Sequence, residues 1–153
     1  QTIDDMPIKV YTAVNGGEKV GYAVESMTKN GFGGVIRMMV GFAPNGQILN
    51  VNVLQQAETP GLGTKMADED NALLRSIKDK KAWEIEFKVK KDGGELDALT
   101  AATISSRAYY DAVERAYRAY RVAAGFGDSA DGVSGATATN AEGQQAQEGG
   151  QNE

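Results

Sequence analysis

The chain of 153 residues contains neither cysteine nor histidine. Disulfides, thiolate zinc sites and cysteine-held iron–sulfur clusters are therefore excluded. So are the Ser–His and Cys–His pairs that carry much nucleophilic catalysis. No prosthetic group can be joined to a thiol or an imidazole. The lack of cysteine fits any compartment and decides no location. Positive charge is also scarce: 16 Lys and Arg stand against 21 Asp and Glu, for a net charge of −5. A pI near 4.8 and the lack of a basic stripe argue against a nucleic-acid partner. No apolar run is long enough to span a bilayer. The length suits one domain plus tails.

The periodicities predict a mixed domain. Residues 1–7 read as a lead-in. Ile8 to Val14 and Val20 to Val24 have the alternation of strands. Asn30-Gly31-Phe32-Gly33-Gly34 reads as a loop. Val35 to Phe42, the turn Pro44-Asn45-Gly46 and Ile48 to Leu54 form a hairpin, with Leu49, Val51 and Val53 on one face. Asp68 to Ile77 predicts a short helix. Trp83, Ile85, Phe87 and Val89 alternate with Glu84, Glu86, Lys88 and Lys90, the pattern of a half-buried strand. A helix capped by Ser105 or Ser106 runs to about residue 123, with Ala108, Ala112, Val113, Ala116, Tyr117 and Tyr120 inward. Asp111–Arg115 and Glu114–Arg118 are favourable i,i+4 pairs on it. Arg107, Arg115, Arg118 and Arg121 read as its solvated face. Trp83, Tyr109, Tyr110, Tyr117 and Tyr120 read as core or interface. From Gly125 onward the composition is Gly, Ala, Ser, Gln, Asn and Glu, too polar to repay the entropy of ordering, and residues 128–153 read as a disordered tail.

The chemistry concentrates in Asp97-Ala98-Leu99-Thr100-Ala101-Ala102-Thr103-Ile104-Ser105-Ser106. Hydroxyls and small residues lie directly ahead of the strongest helical pattern. Small residues let a bulky group approach the backbone. The unpaired N–H groups of a helix start, with the helix dipole, favour an anion there. A threonine in that place can carry or bind a phosphate.

This segment resembles the attachment motif of the FMN-binding domain family, roughly Asp-x-x-Ser/Thr-Gly/Ala-Ala-Thr-x-Ser/Thr. Asp97, Thr100, Ala101, Ala102, Thr103 and Ser105 fill it in order, with Ala at 101 where Gly is commoner. The family includes the G subunit of the Rnf electron-transport complex and the C subunit of the sodium-pumping NADH:quinone reductase. Glu58-Thr59-Pro60-Gly61-Leu62-Gly63-Thr64 resembles a segment of the former, and Gly31-Phe32-Gly33-Gly34 is a weaker third match. The resemblance implies an α+β fold in residues 1–127: a small, twisted, mainly antiparallel sheet packed against the long C-terminal helix, with the flavin over loops at one end. It implies FMN esterified through its phosphate to Thr103 by a separate, Mg²⁺-dependent flavin transferase that uses FAD and acts after export. Without Cys or His, only a hydroxyl can hold a covalent flavin here. It also implies an electron-transfer subunit without a stand-alone catalytic site or a metal. Its partners would be other Rnf subunits that couple NADH and ferredoxin to ion transport. It would sit on the extracytoplasmic face of the membrane, anchored by an N-terminal helix missing here. An extracytoplasmic binding or scaffold domain without covalent flavin is the alternative reading.

Around Thr103, the residues Leu99, Thr100, Ala101, Ala102, Ile104 and Ser105 complete the attachment side. The loop Thr59 to Thr64 is read as packing on the flavin ring, with Leu62 as its apolar contact. Glu58 either bonds a ring or ribityl group or points into water. Lys65 is a surface charge or a neighbour of flavin N1 or the phosphate. Asp97 is a recognition residue for the transferase or a polar residue before the turn. Arg107, one turn from Thr103, is a surface charge or sees the phosphate. The motif recurs as Asp131-Gly132-Val133-Ser134-Gly135-Ala136-Thr137-Ala138-Thr139, which makes Thr137 a secondary acceptor candidate or a coincidence of low complexity.

Overall fold

The computed structural model describes residues 1–126. Two short strands, β1 (Thr2–Ile3) and β2 (Met6–Pro7), pair antiparallel. The turn between them holds Asp4 and Asp5, both left-handed at φ 54° and 64°, a conformation that Asp tolerates better than most residues. A four-stranded antiparallel sheet follows: β3 (Lys9–Asn15), β4 (Glu18–Gly31), β5 (Gly34–Phe42) and β6 (Ile48–Gln55), in spatial order β3-β4-β5-β6. Helix α1 (Ala72–Ile77) is capped by Asn71, whose side chain accepts from the Leu74 N–H. Helix α2 (Thr103–Ala123) lies across the sheet. The expected class, an antiparallel sheet packed against one long C-terminal helix, is the class observed.

Alternation explains the core. Tyr22, Val24, Ser26 and Thr28 of β4 and Ile36, Met38, Val40 and Phe42 of β5 all face α2 and are buried. The helix answers with Ala108, Ala112, Ala116 and Ala119, small enough for the Ser26 hydroxyl to donate to the Ala112 carbonyl at 2.8 Å. At the far end of the helix, Tyr120 stacks on Phe42 and meets Tyr22 edge to face, each at 5.1 Å.

Several expectations are corrected. Residues 83–89 form no ladder strand: a 3-10 turn spans Ala82–Glu84, and the rest is extended chain with one isolated bridge, Val89 to Leu96. Alternation reports one-sided burial, and an extended segment lying on a core has that without a partner strand. Trp83 itself is 43 % exposed. Leu49 does not share a face with Val51. The pairing jumps from Gly41↔Asn50 to Phe42↔Ile48, so Leu49 is the extra residue of a bulge and faces out. Leu54 is the extra residue of a second bulge.

Arg115 is no surface residue. It is 4 % exposed, donating to Asp4 at 3.2 Å, to the Met27 carbonyl at 2.7 Å and to Asp111 at 3.1 Å. Arg118 also reaches Asp4, at 2.8 Å. Burial alone would raise the Asp4 pKa, but the two guanidiniums outweigh it and hold the carboxyl below its ordinary 3.8. The N-terminal hairpin is thus clamped to the helix. Because the folded value is the lower one, this contribution is full above the ordinary value and fades as pH falls through the folded value. Arg115→Ala takes the guanidinium from the Met27 carbonyl and one donor from each of Asp4 and Asp111, which keep Arg118 and the Thr28 hydroxyl. It is expected to cost about 2–4 kcal/mol in urea unfolding at pH 7, and less once the pH has fallen through the lowered Asp4 value.

Candidate functional site

The site is assembled around one buried carboxylate. Glu58 is 5 % exposed. Its Oε1 accepts from the Phe32 N–H at 2.8 Å and from the Ser105 hydroxyl at 2.5 Å, and its Oε2 accepts from the Gly33 N–H at 2.9 Å. One side chain therefore joins the tip of the β4–β5 hairpin to the first turn of α2. Glu58 does not point into water: both oxygens are engaged by the protein itself.

Two glycines are required by this junction. A Cβ on Gly63 would lie 2.6 Å from the Glu58 Cβ and 2.7 Å from the Ser105 Oγ. A Cβ on Gly33 would lie 1.8 Å from the Ala57 carbonyl oxygen. The loop between Glu58 and Gly63 turns at Gly61, with φ 76°. The Leu62 N–H bonds the Thr59 carbonyl at 3.0 Å, and the Thr64 hydroxyl accepts from the Gly61 N–H at 3.1 Å. A 3-10 turn over Gly63–Ala67 then carries Lys65, which is exposed, and buried Met66. Thr59 and Pro60 are exposed and Leu62 is half-buried.

The start of α2 differs from the expected serine cap. Thr103 is its first residue and Ala102 holds the cap position, with no side-chain capping bond and no acidic residue in the first turn. Ser106 serves the turn from inside the helix: its hydroxyl donates to the Ala102 carbonyl and accepts from the Leu99 N–H, both at 2.8 Å. The sequence shows that serines stand at the helix start; which side of the cap they occupy depends on how Leu99 and Ala102 are buried. The first-turn N–H groups thus lack the side-chain oxygen that usually meets them. Thr103 is half-buried, while Thr100, Ala101 and Ile104 are exposed. Thr103 and Ser105 lie about 200° apart around the helix, so Thr103 points away from Glu58. Ala101 sits at φ 58°, a left-handed position costly to residues with a Cβ and free to glycine.

Charges frame this end. Asp97 pairs with Lys90 at 2.7 Å, and that hydrogen bond holds its carboxyl below the usual range. Arg107 forms a two-pronged bond to Asp92, 2.7 Å on each prong, which lowers the Asp92 pKa. Arg107 is therefore turned to Asp92. An open cleft of about 360 Å³ runs alongside, lined by Asn30, Ile104, Arg107, Ala108 and Asp111. The Asn30 N–H bonds the Thr28 hydroxyl, which donates to Asp111 at 2.7 Å. The structure thus brings Glu58, Gly63 and Ser105 together with Phe32 and Gly33. It leaves Lys65, Asp97 and Arg107 outside that junction. Read as sequence, the Gly31–Gly34 segment is foremost a hairpin loop; its density of glycine is the signal for the close contact with Ala57. Thr137 and residues 128–153 lie outside the described residues.

The model of the FMN-binding domain family matches residues 31–118. The chain belongs to the FMN-binding domain family. It is 42% identical over 115 residues to the G subunit of the ion-translocating oxidoreductase complex of Shewanella amazonensis, covering 72% of this chain and 53% of that protein. It is 36% identical over 113 residues to the same-named protein of Vibrio cholerae, covering 72% and 54%. The chain spans about half the length of the curated relatives it matches. The crystal structure of Shewanella oneidensis NqrC has a similar fold, with a TM-score of 0.54 at 24% identity over 72% of this chain and 55% of that one. FMN is thus the cofactor of the family to which this domain belongs. An uncapped helix start, small residues before it and the absence of acid in its first turn suit a flavin phosphate.

Two outcomes follow for the site. Glu58→Ala strands two backbone donors and a hydroxyl, and is expected to lower stability by about 2–3 kcal/mol. Glu58→Gln, which keeps an acceptor, is expected to lose less; thermal melts compare them. Ala101→Gly relieves a left-handed Cβ and is expected to leave stability unchanged or raise it by up to about 1 kcal/mol in urea titration.

Proposed function

We propose that this chain is the cofactor-carrying domain of an electron-transfer subunit of Rnf type, with FMN joined through its phosphate to the Thr103 hydroxyl. The observation that carries the reading is the start of α2. Its first residue is a threonine, its cap position offers no side-chain oxygen, and its first turn has no carboxylate. A phosphate on Thr103 would meet the unpaired first-turn N–H groups and the positive end of the helix dipole. The neighbouring Thr100, Ala101 and Ala102 leave room for it. Glu58 acts at one remove, by fixing the helix start against Gly63 and the hairpin tip. Leu62, half-buried beside them, would offer an apolar face, and Lys65 and the loop N–H groups would serve polar edges.

When bound, FMN supplies one- and two-electron redox chemistry; the domain supplies position and electrostatics. The ester prevents loss of the cofactor on an extracytoplasmic surface, where free flavin is not replenished. The described residues contain no helix long and apolar enough to cross a membrane. Membrane attachment is assigned to parts of a longer protein, and its companions are other subunits of the ion-translocating complex. The ester forms on a separate transferase with Mg²⁺ and FAD. Asp97, half-exposed ahead of the acceptor, is the residue proposed for its recognition.

The test is to co-express the chain with a flavin transferase and run a denaturing gel under blue light. A fluorescent band that disappears in Thr103→Val, or falls to the remainder held by a minor site, is expected. A chain that stays dark beside a transferase active on another acceptor would refute the ester. FMN retained by native but not denatured protein would indicate a non-covalent flavoprotein. Neither form of FMN would favour a scaffold domain.

A further inference from the structure

Strand β3 is the outer strand of the sheet, and among the described residues no strand pairs with its free side. Six of its seven residues are exposed, and only Val10 is half-buried. Tyr11 and Val14 are 51 % and 58 % exposed. The opposite edge is covered. At the start of β6 the Ile48 N–H donates to the Lys80 carbonyl at 2.9 Å, and the Ile48 carbonyl accepts from the Asp79 N–H at 2.7 Å. Gln47 bridges Lys81 beside them. Bulges at Leu49 and Leu54 then break the regularity of β6. Bulges, prolines and charges are the usual means of keeping an edge from pairing. Within β3 they are lacking. Its one register shift puts the extra residue, Val20, on β4. It holds no proline, and its single charge, Lys9, lies at its end.

The ladder determines which backbone groups are free. The turn Gly16-Gly17, with φ 61° and 87°, closes on the pair Asn15↔Glu18. A pair closed by so short a turn is a hydrogen-bonded one, and bonded and open pairs alternate from there along an antiparallel ladder. The N–H and C=O groups of Val10, Thr12 and Val14 therefore point away from β4. Their side chains share the helix-side face, because Val10 stands beside Val24 and Thr12 beside Tyr22. The sequence Lys-Val-Tyr-Thr-Ala-Val-Asn of β3 is complementary to itself when two copies run antiparallel about Thr12. Thr12 then faces Thr12 of the second copy, Val10 faces Val14, Tyr11 faces Ala13 and Lys9 faces Asn15. Threonine, apolar and aromatic partners are favourable across strands, and no like charges meet. Each outward N–H finds a carbonyl in this register.

We propose that β3 is a self-association edge. Two copies of this chain pair through antiparallel β3 strands about a two-fold axis at Thr12, joining their four-stranded sheets into one. A second copy is the occupant because the free edge matches itself in apolar pattern, charge and hydrogen-bond parity at once. The inference does not rest on the flavin reading. The Glu58 junction holds the hairpin tip at Phe32, about 30 Å from Tyr22 at the rise of a strand. Pairing at Thr12, next to Tyr22, leaves that junction open in both copies.

The test is sedimentation equilibrium of the full chain over a dilution series, with hydrogen exchange on the same sample. A species of twice the 16.2 kDa chain mass is expected, with the Val10, Thr12 and Val14 amides protected. Because the chain lacks cysteine, Thr12→Cys reports the axis. Facing residues of a bonded pair have Cα atoms about 5.5 Å apart, within reach of a disulfide. Oxidation should link two Thr12→Cys chains and leave Asn50→Cys, on β6, unlinked. Thr12→Lys sets two cations opposite each other and should return the chain to a monomer with unchanged circular dichroism. Val14→Pro removes an outward N–H and no bond to β4, and should do the same. The single chain mass at every concentration, with Thr12→Cys unlinked, would overturn the proposal. Protection of the three amides in that monomer would assign the edge to another segment of the chain; free exchange would leave it to a different protein. A dimer that survives both Thr12→Lys and Val14→Pro would lie on another face and overturn it as well.

Discussion

A single buried carboxylate sets the geometry at the start of α2, where the candidate site lies. Removing an ionised group from water is costly unless its oxygens are met by donors. Glu58 meets that condition with donors from two segments far from it in sequence: the backbone of Phe32 and Gly33, and the hydroxyl of Ser105. Satisfying one charge thereby fixes three pieces of chain against one another. The glycines follow from it, because Gly63 closes over the Glu58–Ser105 pair and Gly33 lies against Ala57 with no room for a Cβ.

The other end of α2 is held by different forces. Tyr120 packs on Phe42 and Tyr22, and its hydroxyl donates to the Pro44 carbonyl at 2.7 Å. Arg115, sunk into the sheet side of the helix, ties Asp4, Asp111 and Met27 together. The helix is therefore pinned at both ends on one face of the sheet, and the position of its first residue follows. Thr103 stands where it does because Ser105, on the other side of the same turn, is bonded inward.

A helix normally finishes its N-terminus with a side-chain oxygen. Here alanine occupies the cap and the serines are spent on internal bonds, Ser105 on Glu58 and Ser106 on Leu99 and Ala102. The positive end of the helix is left without an acid or a cap beside a half-buried threonine. That is a local deficit of negative charge, and a phosphate would fill it.

Much of this was legible in the sequence. Period-two and period-3.6 patterns placed the sheet's strands and the long helix, since burial on one face imposes those periods directly. The Asp97–Ser106 and Glu58–Gly63 motifs marked the family, and the structure brings Glu58, Gly63 and Ser105 of the two together. Other features depended on contacts between distant residues. Alternation over 83–89 could not reveal that no strand lies alongside. Bulges at Leu49 and Leu54 reverse the inward face without altering composition. The burial of Arg115, the inward bond of Ser105 and the engagement of Glu58 depend on what stands opposite each of them. Sequence by itself determined the local periods, the turns and the chemistry available at the helix start. Only the tertiary structure decided which polar groups were consumed inside and which were left facing out, because each buried polar group must find its partner in three dimensions.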